Sequence, residues 1–170
     1  MNKETWDYVC GWPTYLGDGL ILFLITTTFI IIWDEQKILW KICAIAMTLT
    51  STHIIIQWLK RIVYRERPYD FYLPLVEKGQ YTINALFELL SKESSFPSGH
   101  SAIIFALVTI LCCIYGRRLL FLYSIALFIG FTRIYIGVHF PSDVVAGAVI
   151  GISVGRLLFE IVHKLKPRPT

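Results

Sequence analysis

Apolar residues dominate five stretches of the chain, at 16–33, 38–59, 98–115, 119–137 and 143–162. Each approaches the roughly 20 residues that a helix needs to cross a bilayer. Backbone polar groups in lipid must be satisfied within the segment, so each stretch is predicted to be a helix. The polar connectors DEQK at 34–37 and GRR at 116–118 read as tight turns between consecutive crossings. The interval 69–96 is longer and more polar. Within it Ile83, Leu86, Phe87 and Leu90 recur at helical spacing, which predicts a short amphipathic helix at the membrane surface. The first fifteen residues carry Trp6, Tyr8, Trp12 and Tyr15 and read as a second interfacial segment. The pattern as a whole predicts an all-α integral membrane bundle of five crossings, or six if the N-terminal segment also crosses, with interfacial helices and a single domain over 1–170.

Composition supports that picture. The chain is 55% hydrophobic, against about 45–50% for an ordinary soluble domain. The net charge of +4 comes from dispersed basic residues, which argues against a nucleic-acid partner. Cys10, Cys43, Cys112 and Cys113 form no CxxC pair and no metal-ligand spacing, and read as small apolar residues. The N-terminus lacks the basic-then-apolar pattern of a cleaved signal. Gly147, Gly151 and Gly155 form a small-residue stripe in the last helix and predict close helix packing. Arg156 and Glu160, four apart, are expected to pair. His53, with Ser51, Thr52 and Gln57, reads either as lining a substrate cleft or as a helix–helix hydrogen-bonding position, the second being favoured. Trp58, Tyr64, Tyr69, Phe71 and Tyr72 read as interface aromatics.

Charge then adds what hydropathy cannot. Alternating crossings bring the end of the second helix, the start of the third, the end of the fourth and the start of the fifth to one membrane face. Lys60, Arg67, His100, Arg133, His139 and Asp143 gather there from widely separated positions. Lys37, Lys41, Arg117, Arg118, Lys164, Lys166 and Arg168 fall at the other face. Excess Lys and Arg in short loops marks the cytoplasmic side. The expected setting is a bacterial inner membrane, with the cluster facing the periplasm and the C-terminus in the cytoplasm.

Taken singly, each of these residues has a plainer role: Arg67 as a head-group anchor, Asp143 as a first-turn acid, either histidine as a structural group. Together they describe a site, because ionisable groups at the membrane are functional candidates. Arg forks and a Lys point charge suit phosphate oxygens. Ser98 and Gly99 stand at a helix start, where free N–H groups attract anions and glycine does not block approach. One histidine can attack phosphorus while the other protonates the departing oxygen. Asp143, four residues after His139, can hold the far ring nitrogen of that imidazole.

Three motifs carry a resemblance. KRIVYRERP, from Lys60 to Pro68, fits K-x6-R-P; PSGH spans Pro97 to His100; TRIYIGVHFPSD, from Thr132 to Asp143, fits S-R-x5-H-x3-D. In this order and spacing the set resembles the type 2 phosphatidic acid phosphatases, integral-membrane lipid phosphatases. Thr132 replaces the family's usual Ser and keeps its hydroxyl; members often have six crossings where five are read here. The resemblance implies a phosphohistidine on His139, orientation of that ring by Asp143, and His100 as general acid and then base. It implies Lys60, Arg67 and Arg133 as phosphate ligands, assisted by Ser98 and the Gly99 backbone. It also implies no metal and no cofactor, since fixed cations take the part magnesium plays elsewhere. The substrate expected is a membrane lipid phosphate, with lipid A 1-phosphate favoured over undecaprenyl pyrophosphate and phosphatidylglycerophosphate. Two other classes are weighed. A vanadate haloperoxidase shares such a pocket, but its relatives are soluble. A non-catalytic membrane anion-binding protein has no need of His100 and His139.

Overall fold

A computed structural model of the protein describes residues 18–34, 37–78 and 93–164. These form α1 (Gly19–Trp33), α2 (Ile38–Ile62), α3 (Pro68–Glu77), α4 (Gly99–Tyr115), a short 3-10 helix (Arg117–Leu119), α5 (Leu122–Tyr135) and α6 (Pro141–Lys164). The fold is all-α, as the hydropathy pattern predicts. The N-terminal aromatic segment, the amphipathic stretch carrying Ile83, Leu86, Phe87 and Leu90, and Lys166 and Arg168 lie outside the described residues.

Three of the described helical stretches are long and apolar enough to cross a membrane: α2, Arg117–Tyr135 and α6. The helices α1 and α4 are shorter, at 15 and 17 residues. The core is built on α4, in which every residue from Ser101 to Ile110 is buried. A helix that is apolar all round belongs inside, and α1, α2, α5 and α6 pack around it. Leu24, Phe29, Leu127, Val145 and Leu157 remain exposed on the outer surface, an apolar mantle suited to lipid.

The glycine stripe fixes the α4–α6 pair. A Cβ built on Gly147 would lie 2.4 Å from the Ser98 carbonyl oxygen, one on Gly151 2.2 Å from that of Ala102, and one on Gly155 2.8 Å from that of Ala106. All three obstacles lie on the α4 backbone. The register advances by four residues on both helices, so α4 and α6 run parallel and both begin at the same end of the bundle. Gly130 of α5 meets Val144 in the same way, with 2.9 Å to its Cγ1 atom.

Several boundaries differ from the sequence expectation, for local reasons. The second helix extends to Ile62, so Lys60 and Arg61 sit in its last turn. The helix α3 follows Pro68 directly, a residue whose fixed φ suits a first helical position. Tyr69 is buried against Ile136 and Val138 and is a core residue, which corrects its reading as an interface aromatic. Trp58 and Tyr64 are exposed as expected. Gly137, at φ +75°, turns the chain after α5, a conformation glycine adopts without strain. At the far end, Asp34 accepts from Tyr115 Oη at 2.8 Å and pairs with Lys41, tying α1, α2 and α4. Arg156 and Glu160 pair at 2.8 Å as expected. Cys43, Cys112 and Cys113 are free thiols.

Replacing Gly151 by Ala is expected to destabilise the bundle by about 3 kcal/mol, because neither backbone can yield to the new Cβ. Val149→Ala, on the exposed face of α6, should change stability little. Thermal unfolding of the two variants in detergent micelles checks the contrast.

Candidate active site

The site is assembled from three breaks in the helices. The first follows α2. Val63 takes an extended conformation, and the residue before a proline avoids the helical region, so 63–67 run as a short extended strap. The strap is tied to the segment that leads into α4. Arg65 N donates to Ser94 Oγ at 3.1 Å, Ser95 N donates to Arg65 O at 2.8 Å, and Ser94 Oγ donates to Val63 O at 2.7 Å. Arg67 is buried, and its Nε donates to Glu93 O at 3.3 Å.

The second break is the start of α4. Ser98 caps the helix, with its Oγ 3.4 Å from Ser101 N and 3.0 Å from Ser101 Oγ. Its own N–H donates to Asp143 O at 3.0 Å, which joins this motif to the third. A Cβ on Gly99 would meet only Ile56, at an ordinary 3.6 Å. His100 follows in the first turn and is half-buried.

The third break lies between α5 and α6. Arg133, in the last turn of α5, is fully buried. After the Gly137 turn, the N–H groups of Val138 and His139 both donate to Arg133 O at 3.2 Å, which pins the His139 backbone over that carbonyl. Pro141 then opens α6. Asp143 reaches back so that Phe140 N donates to its Oδ2 at 2.9 Å, the return half of a capping box. Asp143 Oδ2 also accepts from Ser95 Oγ, and Arg65 NH1 donates to Oδ1 at 2.7 Å. His139 Nδ1 lies 3.7 Å from Oδ2, in charge contact but beyond hydrogen-bond length. Burial pushes the His139 imidazole below its ordinary value, and the charges of Arg133 and Arg67 push the same way; Asp143 opposes them without prevailing. The surroundings of the buried ring thus favour its neutral form over the imidazolium.

Arg67, Ser98, Arg133, His139 and Asp143 thus meet in one buried cluster, with Gly99 and His100 at its α4 edge. Lys60 reaches the same end, where its Nζ pairs with Glu93 Oε2 at 2.9 Å. The Lys60 bond and charge hold the Glu93 carboxyl below its ordinary value, and Arg67 and His53 add to that. His53 is exposed and, with Asp18, Phe23, Leu49, Thr50 and Ile103, lines an open cleft of about 460 Å³ between α1, α2 and α4. Of the two readings of His53, its place in the cleft wall fits the less favoured one. Thr132 is buried, and its hydroxyl donates to Ile129 O at 2.7 Å within its own helix.

Arg65, Glu93, Ser94 and Ser95 were not singled out from the sequence. A signal for Arg65 exists: in an extended strap, residues two apart project to the same side, and Arg65 stands two before Arg67. The three others lie between the PSGH motif and a polar interval, and nothing in their spacing marks them.

Known proteins match this arrangement. Residues 40–167 match the model of the PAP2 superfamily. The lipid A 4′-phosphatase of Bacteroides thetaiotaomicron is 31% identical over 99% of this chain and 75% of its own length. A lipid A 1-phosphatase of Rhizobium johnstonii is 33% identical over 61% of this chain, but only 41% of that protein is covered. The crystal structure of Aquifex aeolicus LpxE superimposes with a TM-score of 0.69 at 27% identity, covering 94% of this chain and 88% of that one. The fold and motif set define a membrane phosphatase acting on lipid phosphates. The chain belongs to the PAP2 superfamily, the type 2 phosphatidic acid phosphatases that its motifs resemble.

Because Lys60 is engaged by a largely exposed carboxylate, Glu93→Gln is expected to strengthen inhibition by orthovanadate several-fold, in line with about 1 kcal/mol for an exposed pair. The wild-type pair persists across neutral pH, since a lowered carboxyl pKa is titrated only in acid. Vanadate titrations of the two proteins at pH 7 check the effect.

Proposed function

We propose that this enzyme removes a phosphate group from lipid A, hydrolysing its phosphomonoester by way of a phosphohistidine on His139. The observation that carries this reading is the setting of His139: a buried imidazole, pinned by its backbone over Arg133 O, backed by Asp143 and flanked by Arg67 and Arg133, in surroundings that favour its neutral form. In this reading the ring attacks phosphorus, and the P–N bond forms as the P–O bond to the lipid breaks. His100 gives its proton to the departing lipid oxygen, then takes one from the water that hydrolyses the phosphohistidine. Lys60, Arg67 and Arg133 hold the phosphoryl oxygens, with Ser98 and the Gly99 N–H at the α4 start, so that charge and position supply most of the catalysis. Lipid A is favoured because a relative 31% identical over nearly the whole chain is named for it. That relative is named for the 4′-phosphate, whereas the motif resemblance favours the 1-phosphate, so both positions belong in the assay.

Placement follows from the same reading. In it α1 and α4 also cross, which makes five crossings, and the Lys and Arg excess near the opposite helix ends supports a site at the periplasmic face of a bacterial inner membrane with the C-terminus in the cytoplasm. The phosphate then stays at the bilayer edge while the acyl chains remain in lipid.

The test is phosphate release by purified protein in detergent from lipid A 1-phosphate, lipid A 4′-phosphate, phosphatidylglycerophosphate and undecaprenyl diphosphate, side by side. Turnover of a lipid A phosphate well above the other two lipids is expected, unaffected by chelator, and lowered by about 10⁴-fold or more in His139→Ala. Full turnover by that variant overturns the nucleophile assignment, and preference for either other lipid overturns the substrate.

The pH profile gives a further check. His139 must be neutral to attack, and its folded pKa is depressed. The acid limb of kcat/KM should therefore fall below the ordinary imidazole value of about 6.5. The same shift lowers stability as pH falls through about 6.5, because the unfolded chain takes up a proton there before the folded protein does.

A further inference from the structure

Asp143 is fully buried, and a buried carboxylate requires partners. Its contacts divide unevenly between the two oxygens. Ser95 Oγ, Phe140 N and His139 Nδ1 face Oδ2, whereas Arg65 NH1 holds Oδ1 at 2.7 Å. With one oxygen tethered by each set, the carboxylate plane cannot rotate freely about its Cβ–Cγ bond. The direction in which Oδ2 faces the His139 ring is thereby set.

Arg65 is itself well held. The same NH1 donates to Ser142 Oγ at 2.8 Å, and the guanidinium stacks 4.0 Å from the ring centroid of Phe140, the residue that follows His139. Its backbone N–H and carbonyl are both tied to the 94–95 segment. One side chain therefore touches the residue that follows His139 and the first turn of α6, and grips the acid behind the ring.

We infer that Arg65 is a positioning residue of the phosphatase reaction: it fixes Asp143, and through Asp143 the His139 ring, without itself binding the phosphate. This rests on the reading of His139 as nucleophile. The planar fork suits the task, since it bridges Asp143 and Ser142 while lying flat on Phe140. Charge acts in the same direction. The groups that face the His139–Asp143 pair are Arg65 and Arg67 from the strap, Ser95 from the α4 approach and Arg133 from α5. Removing Arg65 leaves the Asp143 charge less compensated, so that it favours the imidazolium more strongly.

The experiment compares Arg65→Ala, Arg65→Gln and Arg65→Lys with wild type and His139→Ala, as full-length proteins in detergent, on whichever lipid of the panel is turned over. Arg65→Ala should lower kcat by about 10- to 100-fold, the range typical of residues that orient a site ligand. KM and the inhibition constant for orthovanadate should stay within about twofold, since the phosphate ligands are untouched. The acid limb of kcat/KM should move to higher pH. Arg65→Lys should recover part of kcat and return the limb toward wild type, because it restores the charge without the fork. If Arg65→Ala fails to fold, the same comparison between Gln and Lys carries the test. Raised KM and vanadate constants with unchanged kcat would make Arg65 a phosphate ligand and overturn the inference. So would a uniform loss of activity with an unmoved pH limb, the mark of a scaffold residue. An inactive His139→Ala alongside an unaffected Arg65→Ala would sink this inference alone; an active His139→Ala would sink the nucleophile reading itself.

Discussion

Asp143 stands where three otherwise remote stretches of chain are joined. Its backbone carbonyl takes the Ser98 N–H, and its side chain takes Arg65, Ser95 and the Phe140 N–H while facing His139. Each bond reaches a different part of the site: the strap after α2, the start of α4, and the turn into α6. A carboxylate has about four lone-pair directions and no hydrogen to give, so it draws donors from all sides. Burial makes each donor obligatory, because an uncompensated charge in that position would be strongly destabilising. The carboxylate that faces His139 is thus a structural knot.

That knot depends on the helices beneath it. Ser98 N and Asp143 O can meet only because α4 and α6 approach to backbone contact, and only glycine at 147, 151 and 155 permits the approach. Parallel packing brings both helix starts to one end. The close pair leaves little space between the axes, so the candidate site residues gather at the helix ends and on the connections beside them. There Pro97 and Pro141 stand beside the two histidine-bearing motifs, and Gly137 turns the chain between them. The bundle thereby presents the candidate site at one end, on helix termini and the segments that join them.

Much of this was legible in the sequence because bilayer physics leaves few options. Apolar length gave the helices, and alternation of direction brought Lys60, His100, Arg133 and Asp143 to one end without any coordinates. Three features resisted. The helix α3 lies in a polar interval where Pro68 marks a break as readily as a start. Tyr69 looks like its neighbours Tyr64 and Tyr72, and only the Gly137 turn folds Ile136 and Val138 onto it. Ser95 and Glu93 act through pairings with residues tens of positions away, and no periodicity encodes a single long-range hydrogen bond. Thr132 shows the converse. Its hydroxyl donates to Ile129 O within the same helix, a local bond that serine and threonine can make alike, while the extra methyl belongs to a fully buried residue.

The balance of charge explains why such a site can wait for substrate without collapsing. Lys60, Arg65, Arg67 and Arg133 crowd one end of the bundle, and Asp143 and Glu93 answer them there. Asp143 is fixed in the knot, whereas Glu93 is largely exposed and holds Lys60 by a pair that water and ions can screen. The positive field that remains acts on His139, where it favours the neutral ring. Burial acts on that ring in the same direction and more strongly. Under the proposed mechanism, Arg67 and Arg133 then serve twice: they would hold the phosphoryl oxygens, and together with burial they keep the imidazole in the form that attacks.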